Sequence, residues 1–271
     1  MSKKTLLKSM VVVALMAMGG IAFAQSASTG KGNSFFLNFR GDLGATSCVE
    51  TSVVPYSMLG LTAGIQGGFT DEWKRCHVQF DYGWVPTITI DPSGTTHRLT
   101  SKLEFLYSCL KPSNSRWHFW SGASMGGFAD LKHLPDLENA QVTISLFGTI
   151  SAEEMVQCDF AYDKNDASHP WMTAFVKLSL PLFAFGSRPG FAYVQPTLND
   201  DDLFALLTKA NEPVNKWFPG YTYDLGFTVN LRNGNRFVFG HRVDFFSTGK
   251  KGAYRYDNAC RTGYIQFMFK I

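Results

Sequence analysis

The chain has 271 residues, 45% of them hydrophobic and 15% aromatic, with 24 Phe and 25 Gly; a chain this apolar is not disordered. Its 25 Lys and Arg face 22 Asp and Glu, and three of the bases fall in the first 24 residues, so the chain from residue 25 onwards is formally neutral. That balance excludes a binder of nucleic acid or another polyanion, which needs a basic excess. Past residue 24 no run of 18 apolar residues occurs, which excludes a membrane-spanning helix.

The chain opens on a targeting segment. Lys3, Lys4 and Lys8 precede an apolar stretch from Met10 to Phe23, and Ala22-Phe23-Ala24 is a small-x-small cleavage site. Residues 1–24 are therefore expected to be a signal peptide and 25–271 a single mature domain, exported to a compartment that permits disulfides. Cys48, Cys76, Cys109, Cys158 and Cys260 are odd in number and nowhere spaced C-x-x-C. A fully paired framework and a zinc site are thereby set aside.

Periodicity along the mature chain is two, the period of a strand. Phe35, Leu37, Phe39 and Leu43 alternate with Asn38, Arg40 and Asp42, and comparable alternation marks 58–70, 75–85, 97–109 and 116–129. The middle is less regular. We expect strands at 141–150 and 154–163 joined by a turn at Thr149–Glu153, then strands at 171–184 and 189–198. Loop 199–219 carries a short helix candidate, Asp201 to Ala210, with acids at its start and Lys209 at its end. Alternation is cleanest in 220–232 and 236–246, around the Asn233-Gly234-Asn235 turn, and in the closing segment through Ile271.

Twelve strands result, or ten if 130–170 is one long loop. Short connections (Thr70–Lys74, Leu110–Ser115, Thr149–Glu153, Gly186–Arg188, Asn233–Asn235) alternate with longer ones (45–57, 86–97, 130–140, 164–170, 199–219, 247–255). The short ones all fall at the end that holds the N-terminus. Aromatics mark both strand ends, Tyr107, Trp117 and Phe183 at the short-turn end and Tyr82, Trp84, Trp171 and Tyr221 at the other. Such rings suit the headgroup level of a bilayer.

With its export signal, short-turn and long-loop asymmetry and aromatic strand ends, the region 32–271 resembles the outer-membrane β-barrel superfamily of Gram-negative bacteria. The resemblance is sharpest in the last strand, where Gly263, Ile265, Phe267, Phe269 and Ile271 look like the signal read by the barrel assembly machinery; the family usually ends in Phe, where Ile271 stands here. It implies an all-β, closed antiparallel transmembrane barrel in the outer membrane. Outer-membrane lipid would surround it and the assembly machinery would be its partner during biogenesis. It implies no cofactor and fixes no oligomeric state. The competing fold is a soluble exported sandwich, whose apolar face would turn inward.

On a barrel, the face opposite the apolar one lines the lumen. We assign to it Arg40, Asp42, Arg75, His77, Asp81, Arg98, Lys102, Glu104, His118, Asp159, Lys177, Asp224, Arg232, Arg236, Arg242 and Asp244. The two signs interleave, which predicts either a pairing network that fills the lumen or a passage of little charge selectivity. A small passive channel or a structural barrel is the expected function. A loop-mediated adhesin or ligand receptor is the next class, then a lipid-modifying enzyme. For the enzyme no nucleophile is in place: His241, expected opposite Phe227, has no Ser on its face within a strand position or two, and the family's H-x-S spacing is missing around both His241 and His118. His97, His133 and His169, with Asp91, Asp130, Asp136 and Asp166, fall in expected outer loops as ordinary solvated residues, so no metal is assigned. Finally, closure makes the first and last strands neighbours, which brings Cys48 and Cys260 together at the outer rim as a candidate disulfide; Cys76 and Cys109 are the rival pair.

Overall fold

The computed structural model describes residues 34–50, 54–73, 75–91, 93–110, 116–135, 142–163, 166–189, 211–250 and 253–271. The expected signal peptide at 1–24, the 189–198 strand beyond Pro189 and the 201–210 helix candidate lie outside the described residues. Eleven strands succeed one another along the chain: β1 (Ser34–Glu50), β2 (Val54–Glu72), β3 (Cys76–Asp91), β4 (Gly94–Leu110), β5 (Trp117–His133), β6 (Val142–Asp163), β7 (Asp166–Pro189), β8 (Asn211–Trp217), β9 (Gly220–Asn230), β10 (Arg236–Lys250) and β11 (Ala253–Lys270).

Each strand pairs antiparallel with its neighbour. β1 meets β11 from Phe36↔Lys270 to Glu50↔Tyr256, and β6 meets β7, so the sheet has no end. The result is a closed barrel of ten strands, with β8 as an additional short strand on the edge of β7. β8 and β9 lie one after the other along β7: Phe183 pairs with Trp217, and Ser179 with Thr222.

The count of ten is reached differently from the ten foreseen. No turn exists at Thr149–Glu153. β6 runs through it for 22 residues, with Ser151, Glu153 and Met155 buried inside and Ile150 and Glu154 exposed outside. The polar run Ser151–Glu154 reads as a turn, yet its parity never breaks. A register shift at Ile150/Ser151, opposite Pro181, absorbs the irregularity. Losing that turn reverses the direction of the next strand. The end of β6 at Asp163, the start of β7 at Asp166 and Trp171 lie towards the end that holds β1's start and β11's finish, and Phe183 belongs towards the other end.

Most of the expected long loops are strand. β1, β2, β3 and β4 carry their ladders through 45–50, 54–57, 86–91 and 94–97. Strands of 15 to 24 residues such as β10 and β7 exceed the roughly 9–11 that span a bilayer, so the barrel wall continues beyond the membrane. The turn between β9 and β10 is tight as expected, with Gly234 at φ 85° and its N–H bonded to Leu231 O at 2.9 Å; a side chain there would be strained.

Candidate functional site: a lumen bridged by ion pairs

The two faces of the wall are chemically opposite. Outward residues are large and apolar: Phe39, Leu43, Leu61, Ile65, Ile88 and Met125 are each about 60–70% exposed. Inward residues are polar and hidden, including Asp42, Glu50, Glu104, Asp130, Lys132 and Glu153 at 5% or less. A soluble sandwich buries its apolar face; this wall exposes it over a closed sheet whose backbone groups pair with one another, which is what hydrocarbon solvent demands. The chain is a closed antiparallel β-barrel with its apolar face turned outward, the construction of a transmembrane barrel.

Inside the barrel three tiers of contacts cross the lumen. In the middle tier Lys177 of β7 donates to Glu104 of β4 at 2.6 Å. Lys102 bridges Glu104 at 2.9 Å and Glu153 at 2.7 Å, and Ser124 and Ser179 donate to the same Glu153 Oε1. Beside them Asp42 accepts from Arg40 and Gln66 at 2.7 and 3.0 Å. Tyr264 donates to Asp224 at 2.8 Å and lies 3.6 Å beneath the Arg40 guanidinium. Arg242 and Thr222 both donate to Asp244.

The tier nearer the long connections centres on Asp130. It takes two bonds from Arg98, at 2.6 and 2.8 Å, a geometry that favours Arg over Lys. A third, at 2.6 Å, comes from Tyr256, on the opposite side of the ring. Lys132 of β5 pairs with Glu50 of β1, which also accepts from Ser145. Against these lies an apolar cluster of Phe147, Phe246, Tyr256, Leu134, Met58 and Val214, with ring centroids of Phe128, Phe147 and Phe246 5.1–5.2 Å apart. At the terminus end Arg236 of β10 forks onto Glu72 of β2 at 2.7 and 2.9 Å. His118 sits 3.0 Å from Asp159, and Phe36, Val238 and Met268 are buried together.

A space of about 30 Å³ is left among Cys48, Thr87, Arg98, Lys132 and their neighbours, room for water rather than a solute. A wider hollow of about 1040 Å³ is lined by outward side chains, among them Ile65, Tyr82, Trp84, Leu99 and Phe185, and also by the inward residues Arg40, Gln66, Phe128 and Phe147. It runs along the ladder row Gly67, Tyr82, Ser101, Gly127, Gly148, where small residues thin the wall; a Cβ on Gly148 would fall 2.4 Å from the Phe185 ring.

Of the assigned lumen residues, Arg75 and Arg232 do not belong. Both are exposed in connections at the terminus end, Arg75 3.5 Å from the Tyr107 hydroxyl, because parity stops carrying information where the strand does. His77 and Asp81 are half-buried among Gln79, Glu72 and their neighbours. Glu50, Glu72, Asp130, Lys132, Glu153, Tyr256 and Tyr264 were missed. All but the tyrosines fall in stretches that read as loop or turn; Tyr264 alternates with Ile265 and Phe267 and Tyr256 follows the 247–255 connection, and neither carries a charge to mark it as part of the ionic set. Asp130 lies in β5 bonded to Arg98, and His97 lies in β4 stacked on Trp84 at 5.9 Å. Among the described residues no group of three or more His, Cys, Asp or Glu has the makings of a metal site.

His241 is outward and exposed but faces Leu225 and Gly263, not Phe227, since five residues rather than three separate the paired ends of β9 and β10. Cys48 and Cys260 do lie on adjacent strands, yet Cys48 faces Asn258 and Cys260 faces Thr46. They are two residues out of register, and all five cysteines are free thiols in this structure. Gly263, Ile265, Phe267 and Phe269 lie in β11 in register with Leu43, Gly41, Phe39 and Leu37.

No protein-family model matches the chain, and no curated protein matches it. Among solved structures, Neisserial surface protein A aligns over 87% of this chain and 98% of its own, at 10% identity and a TM-score of 0.36. A deltaS2 mutant of the TodX monoaromatic hydrocarbon channel aligns over 90% and 91%, at 8% and 0.29. The outer membrane protein OpdK from Pseudomonas aeruginosa aligns over 88% and 99%, at 9% and 0.19.

Proposed function

We propose that this protein is a structural barrel of the outer membrane whose lumen is closed by ion pairs, rather than an open passive channel. The observation that carries the reading is the bridging of the lumen by Lys177–Glu104 and by Tyr256 of β11, which donates to Asp130 and accepts from Arg98 across the ring. Charges confined in this way persist because they are paired. An open passage would leave its lining groups hydrated, and single-sign rings would be needed for selectivity. Outer-membrane lipid is the surrounding partner, and the assembly machinery reads β11.

Two measurements test the proposal. The mature chain should fractionate with the outer membrane and shift its gel mobility on boiling; recovery as a soluble periplasmic protein would overturn the location. In a planar bilayer the purified protein should give a flat current trace. Discrete conductance steps would restore the channel reading.

A further inference from the structure

Three sulfur-bearing side chains converge in the tier nearer the long connections. Cys260 of β11, Cys48 of β1 and Met58 of β2 stand on adjacent strands, and all three border the space of about 30 Å³ beside Arg98 and Lys132. Cys48 and Met58 face each other in register and are buried in the same apolar cluster. Cys260 is the partner of Thr46, so it lies diagonally across the ladder from Cys48. Diagonal partners stand about 7–8 Å apart, beyond the roughly 4.4–6.8 Å that a disulfide spans at Cα. An ion seated between the two sulfurs closes that gap, since a metal–thiolate bond adds about 2.3 Å on each side.

The ligand set decides the ion. Two thiolates and a thioether are soft donors, the combination that suits copper(I). Zinc takes four ligands drawn from thiolate, imidazole and carboxylate. The lining of this space holds no imidazole, and its one carboxylate, Asp130, is engaged by Arg98 and Tyr256. The space has room for water rather than a solute, and so for a bare ion. We propose that Cys48, Cys260 and Met58 form a three-sulfur site for one copper(I) ion inside the barrel. Each thiol gives up its proton as the ion binds, so one copper(I) on two thiolates carries a single negative charge. Lys132 and Arg98, which line the same space, stand beside that charge and favour it. No electron is transferred, and the Met58 sulfur supplies the third, neutral bond.

The test titrates copper(I) anaerobically into the full mature chain in phosphatidylcholine vesicles, with bicinchoninate as the competing chelator. The other three cysteines are first replaced (Cys76→Ala, Cys109→Ala, Cys158→Ala) so that they take no metal. The chain is expected to retain one copper per barrel, with thiolate-to-copper charge-transfer absorption and a sulfur-only shell by X-ray absorption. Cys48→Ser should abolish the retention. Cys260→Ser should do the same from a less buried position, and serves where Cys48→Ser does not refold; the gel shift on boiling reports folding in each case. Met58→Leu keeps the apolar packing and should weaken retention several-fold while the charge-transfer band persists. Copper held as tightly after either cysteine substitution overturns the proposal. Copper held as tightly after Met58→Leu overturns it too, as does zinc(II) displacing copper(I) at equal concentration, or a Cys48–Cys260 disulfide in the exported protein before loading.

Discussion

Glu104→Ala should destabilise the refolded barrel by about 3 kcal/mol, the lower end of what breaking a buried ion pair costs. Glu104 is 2% exposed and takes Lys177 at 2.6 Å and Lys102 at 2.9 Å. Without it Lys102 still has Glu153, whereas Lys177 loses its ion-pair partner and is left with Asp224, opposite it on β9, as a neighbouring carboxylate. The lower end applies because the Lys177 side chain keeps 19% of its surface exposed and draws some hydration. Removing both charges is a different matter. Glu104→Met with Lys177→Met leaves the Lys102–Glu153 pair in place and should return most of the loss, since burying two apolar groups avoids the desolvation that the pair has to offset. Urea unfolding in lipid vesicles measures both. A double variant as unstable as the single one would mean that the tier acts through shape rather than charge.

The outer wall should respond to charge by depth. Leu225 is the middle residue of β9 and faces out, so Leu225→Arg is expected to cost about 2–4 kcal/mol, as at a bilayer midplane. Phe227→Arg, one outward position nearer the strand end, should cost less than that. Thr228→Arg should cost least of the three: Thr228 faces the lumen beside Thr173, which is bonded to Asp159, and a guanidinium there finds a carboxylate. Equal costs for Phe227→Arg and Thr228→Arg in the same unfolding assay would mean that the two faces had been assigned the wrong way round.

What sequence reasoning reached, and what it missed, divides along the range of the interactions. The faces of β9, β10 and β11 were legible because period two is a property of consecutive residues: Tyr221 to Leu231 and Arg236 to Phe245 declare in and out without reference to any partner. The tight turn at Gly234 was legible for the same reason. Glu153 was not. Flanked by Ser151, Ala152 and Glu154 it has the composition of a turn, and only Lys102, far away in the chain, makes it a residue of a strand interior.

The sequence by itself determined an inside and an outside, the closing strand that ends the chain, and a population of inward charges of both signs. The tertiary structure alone decided that those charges meet across the lumen instead of lining a passage. It also decided that β6 runs unbroken and that Cys48 and Cys260 miss each other's register. Each depends on how far one strand slides along another, and the slide accumulates around a closed ring; alternation within a strand is blind to it, because shifting the pairing by two residues leaves every side chain on the same face.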